Sequence, residues 1–222
     1  MKFIIFGATG MVGQSALREC LLDDKVQEIV AIGRKHPGQQ HEKLKSIIIE
    51  NVADLHSIEQ EITGFDACLF CLGVSSRGMK EEEYKRITYG ITLSVAETLV
   101  RLNPQITFIY VSGSGTDSTE RGRAMWARVK GKTENELLQF PFKAAYMFRP
   151  GLILPLHGVR SKTKLYQFLY NVLKPFYPSL SKSNSIVTSE QLGKAMVQVV
   201  STGYFSPIIE STEIKKIGSI PL

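Results

Sequence analysis

Glycines at positions 7, 10 and 13 follow directly on the apolar run FIIF and open the stretch MVGQSALREC. That arrangement suits a backbone that must come close to phosphate. The first glycine permits a tight turn, the second lets N–H groups approach an anion, and the third lets helix and strand pack closely. Gly7, Thr9, Gly10, Met11, Val12 and Gly13 are therefore the expected pyrophosphate loop of a dinucleotide site. The spacing is GxxGxxG rather than GxGxxG, so its weight comes from the strand before it and the helix after it. An acidic residue that holds the ribose hydroxyls of NAD is expected about 20 residues further on. The chain there reads AIGRKHP, with no carboxylate. Gly33 removes an anionic clash, and Arg34 and Lys35 can meet a 2′-phosphate. Arg34 is the better candidate, because a guanidinium bonds phosphate bidentately. The pattern predicts NADP(H) in preference to NAD(H).

Further round the same edge, Asp54 and Leu55 follow the third strand, where an aspartate could meet the adenine amino group. Cys71, Leu72 and Gly73 end the fourth strand, where backbone must pass close to the adenosine ribose. Cys68 and Cys71 form a CxxC only on paper. In a strand, residues i and i+3 point to opposite faces, so the pair reads as packing. His36, His41, His56 and His157 show no ligand spacing, and no metal is expected.

The elements that must carry these residues alternate. Short β-branched or aromatic runs at Phe3–Phe6, Ile29–Ile32, Ile47–Ile49, Ala67–Leu72, Ile106–Val111 and Ala145–Phe148 read as strands buried on both faces. Helices are expected over Val12–Leu22, Leu55–Ile62, Lys80–Leu102 and Arg123–Leu138, the third with Ile87, Ile91, Val95 and Leu99 four apart. Alternating strand and helix means right-handed βαβ units. The expected fold is α/β: a doubly wound parallel Rossmann sheet in three layers, with residues 1–222 forming one domain. After Pro150 the texture changes to prolines, lysines and a dense aromatic group. Residues 151–187 read as a loop plus a short helix at about 161–173 lying over the carboxyl edge of the sheet, a substrate lid or partner surface in preference to an interfacial membrane helix. A helix at Ser189–Ser201, started by Thr188 or Ser189, and a strand and helical turn over Ile208–Ile217 close the chain.

Composition narrows the class. With 43% hydrophobic and 22% charged residues in 222, the chain is neither disordered nor collagen-like. No apolar run approaches the roughly 18 residues of a spanning helix, and Met1-Lys2 leads straight into a strand, so neither membrane span nor cleaved signal peptide is expected. Three cysteines argue for a reducing compartment, read as the cytoplasm. The net charge of +6 suits an anionic ligand as well as a nucleic acid, and no nucleic-acid partner is expected from charge alone. Monomer and homodimer remain open.

With these pieces assembled, the chain resembles the atypical short-chain dehydrogenase/reductase family over nearly its whole length. The resemblance rests on GATGMVG, IGR, VADL, YVSGSG, ARVKGKTENEL and FRPGLILP. It is similar in particular to Tat-interacting-protein-like and NmrA-like members. The resemblance implies an NADP(H)-dependent oxidoreductase of an unidentified small molecule, or alternatively an NADP(H)-sensing regulatory protein with little turnover. It makes Ser112 and Lys130 the matching catalytic residues, adds Lys130, Pro150 and Gly151 to the cofactor contacts, and exposes one departure. The family's tyrosine, four residues before the lysine, is here Trp126. Tyrosine works there as an acid, whereas indole N–H is a donor that does not titrate usefully. A non-standard proton donor is then required, with Tyr84 and Tyr166 as candidates from neighbouring segments.

Overall fold

Seven parallel strands form the centre of a computed structural model, which describes residues 1–159, 177, 183 and 185–220. In chain order the elements are β1 (Lys2–Phe6), α1 (Met11–Leu22), β2 (Glu28–Gly33), β3 (Leu44–Ile48), a 3-10 helix (His56–Ile62), β4 (Ala67–Phe70), α2 (Glu81–Lys85), a π turn (Arg86–Gly90), α3 (Ile91–Leu102), β5 (Thr107–Val111), α4 (Met125–Leu137) and β6 (Ala144–Arg149). Beyond β6 come β7 (Leu152–Leu154), β8 (Ile186–Thr188), α5 (Ser189–Thr202), β9 (Ile208–Glu210) and α6 (Ser211–Ile217). The sheet runs β3-β2-β1-β4-β5-β6-β9, and every pairing in it is parallel. Strand order reverses between β1 and β4, which opens a crevice at the carboxyl ends of those strands.

The two-residue strand period sorts the core into two layers. Phe3 and Ile5 pack with Ala16, Leu17, Leu192, Met196 and Ile214 from α1, α5 and α6. Ile4 and Phe6 turn to the other face, against Ile58, Ile62, Val95, Leu99 and Leu137. This is the doubly wound three-layer fold that the alternation predicts. Buried Asn103, just past α3, pins the entry to β4: its Oδ1 accepts from Gly64 and Phe65 N–H, and its Nδ2 donates to the Ile62 carbonyl. Thr188 caps α5 in a reciprocal box with Gln191, at the expected start. Among the described residues, no helix is long and apolar enough to cross a membrane.

Several boundaries differ from expectation for local reasons. Leu55–Ile62 is predicted as an α-helix but forms a 3-10 helix beginning at His56, where Asp54 Oδ1 accepts the His56 N–H at 3.1 Å. Lys80–Leu102 is helical in three consecutive pieces, with a π turn ending at Gly90. β4 ends at Phe70, and α4 begins at Met125. The 151–187 segment is not all loop and helix. Its two ends, β7 and β8, pair in parallel as a second, two-stranded sheet, and a Cβ at Gly151 would lie 2.5 Å from the Ser185 carbonyl oxygen. The helix expected at 161–173, Tyr166 and most of the proposed lid lie outside the described residues.

Candidate functional site

The turn after β1 is built on close backbone approach. Gly7 has φ +80°, and a Cβ there would lie 2.8 Å from the Cys71 carbonyl and from Leu72 N. A Cβ at Gly13 would come within 2.1 Å of the Gly7 oxygen and 2.8 Å of Ala8 Cα, so α1 rests directly on the loop. Gly10 N donates to Gly7 O at 2.9 Å, and Gln14 Nε2 donates to Thr9 O at 3.0 Å. Gly10 precedes α1 without a side-chain cap, and the first turn contains no acidic residue. The N-terminus of α1, a 12-residue helix, thus carries uncapped backbone donors with no carboxylate in its own first turn to repel an anion. Gly33 and Gly73 border open space. The loop therefore fits a dinucleotide pyrophosphate: it is a backbone cradle that side chains would fill.

Around this cradle the predicted residues divide. Arg34 and Lys35 are exposed just beyond β2, and neither is paired with a carboxylate among the described residues. The Asp54 side chain is exposed and turned partly to its own helix start, while Leu55 is buried in the core. Cys71 and Leu72 bring backbone against Gly7. Cys68 packs on the opposite layer from Cys71, so the two do not converge.

One strand further along, β5 and β6 are laced together at their exits. Ser112 N–H and Oγ–H both donate to the Phe148 carbonyl, at 2.9 and 3.2 Å, and Ser114 N–H donates to Pro150 O at 2.9 Å. The Gly151 N–H donates to Ser211 Oγ. On α4, Lys130 lies one turn beyond Trp126, and its Nζ donates to the Ser112 carbonyl. Burial pulls the Lys130 ammonium down to about 8, partly opposed by the negative charge of Glu134. The structure therefore brings Ser112 and Lys130 together. The Trp126 ring lies beside Gly115, 3.6 Å from where its Cβ would be. Tyr84, a candidate replacement acid, is 2% exposed with its phenol pushed up by burial. It belongs to the core.

The loop from Ser112 to α4 is a feature that sequence reading missed. Asp117 accepts from Thr119 and from Gly122 N–H, while Arg128 donates to the Gly122 and Arg123 carbonyls and pairs with Glu81 at 2.6 Å. A Cβ at Gly131 would be 1.8 Å from Asp117 O, so the loop lies flat on α4. The signal was present as DSTERG, an Asp-led turn followed by glycine.

Comparison with known proteins agrees with this geometry. The model of the NAD dependent epimerase/dehydratase family matches residues 3–120. Protein FMP52-2, mitochondrial, of Scheffersomyces stipitis is 30% identical over 162 residues, 71% of this chain and 67% of that protein. Protein FMP52, mitochondrial, of Meyerozyma guilliermondii is 24% identical over 97% of this chain and 94% of that one. HTATIP2 of Rattus norvegicus is 26% identical over 68% and 62%. Among solved structures, the Bordetella bronchiseptica enzyme WbmH in complex with NAD+ shares the fold at TM-score 0.65 and 15% identity, over 94% of this chain and 74% of that one. The names of the FMP52 relatives overturn the expected cytoplasmic location. The error has a physical source: free cysteines indicate a reducing compartment, not which one. With the glycine cradle, the doubly wound sheet and a family match across more than half its length, the chain belongs to the NAD-dependent epimerase/dehydratase family, within the atypical short-chain dehydrogenases/reductases.

Proposed function

We propose that this chain is an NADP(H)-binding oxidoreductase acting on a small molecule with a non-standard proton donor. The observation that carries the reading is the half-buried Lys130 held on Ser112 at the carboxyl edge of the sheet, with only β4 between β5 and the strand that leads into the glycine cradle. Backbone donors of Gly10, Met11, Val12 and Gly13 would hold the pyrophosphate, and Arg34, assisted by Lys35, the 2′-phosphate. Cys71, Leu72 and Gly73 would border the adenosine ribose, and Pro150 and Gly151 the nicotinamide end. A reduced nicotinamide bound there supplies a hydride. Lys130 would hold a ribose hydroxyl, and its ammonium, brought into the neutral range by burial, is a titrating group able to give up a proton where Trp126 cannot. Residues 1–222 would act as one domain, in the mitochondrial setting that the FMP52 names suggest.

Two features favour the second reading, an NADP(H) sensor with little turnover. Trp126 stands in the acid's place, and the Ser112 hydroxyl is already engaged with the Phe148 carbonyl. NADPH oxidation across a panel of aldehydes, ketones and enones, with NADPH binding measured by calorimetry, separates the two. Binding with turnover supports the enzyme, and binding without turnover supports the sensor. No binding of either nicotinamide cofactor overturns both.

A further inference from the structure

A buried ion pair lies directly behind the lysine of the site. Arg149 Nε donates to both carboxylate oxygens of Glu134 at 3.1 and 3.2 Å, and its Nη2 donates to the same carboxylate and, at 2.5 Å, to Ser118 Oγ. Nη1 reaches Glu210 Oε1 at 3.2 Å. Glu134 is wholly buried on α4, four residues beyond Lys130 and so on the same face of the helix. Arg149 ends β6, and Phe148 before it holds both donors of Ser112, whose carbonyl receives Lys130. The contacts close a ring from Lys130 through Ser112, Phe148, Arg149 and Glu134, returning along α4. A carboxylate at this depth requires a counter-charge, and the guanidinium fork supplies it with fixed geometry.

We propose that Glu134 and Arg149 are positioning residues for Lys130: the pair locks α4 against β6 and sets the charge that the ammonium meets from behind. The idea rests on the reading of Lys130 as the lysine of the site. Glu134 is the charged group that favours the ammonium against its burial. Several other ionisable groups of the surrounding elements are engaged elsewhere. Tyr110 on β5 and Tyr84 on α2 are kept neutral by burial. Asp117 is held by its own loop, Arg128 by Glu81, and Glu210 by Arg149.

The test is a pH titration of Lys130 in the full chain without cofactor, read from the 13C-methyl resonance of the reductively dimethylated lysine and assigned with Lys130→Arg. Glu134→Gln keeps the shape, removes the negative charge and leaves the cation of Arg149 nearby. The midpoint should fall by about one pH unit or more. Glu134→Gln with Arg149→Met removes both charges, a replacement that buried pairs commonly tolerate. Its midpoint should lie below that of wild type, by less than in the single variant where both fold, so it decides the matter if the single variant does not fold. A purely structural role would loosen α4 and move both midpoints up toward the ordinary lysine range. That result, or no movement in either variant, overturns the proposal. The titration requires neither NADPH nor turnover, so its outcome is separate from that of the functional reading.

Discussion

Under the proposed function, Arg34, Trp126 and Lys130 would each carry one separable piece of the site. Arg34 is exposed at the end of β2 beside open space at Gly33, so its expected work is confined to a 2′-phosphate. Arg34→Ala should weaken NADPH binding about 10–100-fold, the range of a lost charge-assisted hydrogen bond, and leave NADH unchanged. Equal losses for both cofactors in calorimetry would remove the assignment. Trp126 is the only tryptophan, so NADPH should quench the protein's fluorescence directly if the ring borders the nicotinamide. Trp126→Tyr places a titratable phenol one turn before Lys130. Carbonyl reduction should rise, by up to about 10²-fold, if general acid catalysis is what the site lacks. A good wild-type rate that drops on this substitution would instead assign the indole to a working mechanism. Lys130 gives a pH signature. Its ammonium is lost as pH rises through about 8, so NADPH affinity should decline above that value. In Lys130→Met the affinity should already be low and flat across the same window.

Among the elements, α1 is the most demanding in its packing. A Cβ at Gly13 would lie 2.1 Å from a carbonyl oxygen, and what it meets is backbone, which cannot swing aside. Gly13→Ala should therefore destabilise the fold by about 1–3 kcal/mol, the range for overpacking, and displace the helix start that faces the pyrophosphate. Thermal melting and NADPH titration of the same variant check both effects. Gly10→Ala meets only the Gly7 oxygen at 3.4 Å, so it should melt close to wild type while still losing cofactor affinity. If both variants melt and bind like wild type, the close approach is not what shapes the loop. The long helix after β4 shows the limit of periodicity. Four-residue spacing located it but did not show the π turn, in which Thr88 is buried and its carbonyl accepts from Thr92 Oγ.

At the scale of the molecule, the two core layers bury the thiols along with the apolar side chains. Cys20 and Cys68 are wholly buried with their thiols pushed far up, and burial pushes the half-buried Cys71 to about 12. In native protein at pH 8, Cys20 and Cys68 should react with a thiol reagent only as fast as the chain unfolds. NADPH at about 100 times its Kd should slow that uptake about 100-fold, because ligand binds the folded state alone. Rapid labelling of Cys20 or Cys68, insensitive to NADPH, would show that the core around them opens locally.

The alternation of β-branched runs with helical periods, and the three glycines between the first strand and helix, were sufficient in the sequence to read the doubly wound sheet and the close-packed glycine turn after its first strand. Both are local signals, since a strand period, a helix period and a turn are each written within a few residues. Arg34 and Lys35 could be singled out for the same reason: the end of the second strand lies at a fixed distance from the glycine loop. Ser112 and Lys130 could be named only by resemblance, because they are far apart in the chain and meet only when β5 and α4 pack. What tertiary structure alone decided is the network behind them. Glu134, Arg149, Ser118 and Glu210 come from four separate segments, and nothing in their spacing announces a shared ion pair. Their convergence is set by how β6 and β9 pair and how α4 lies across the sheet, a property of long-range packing.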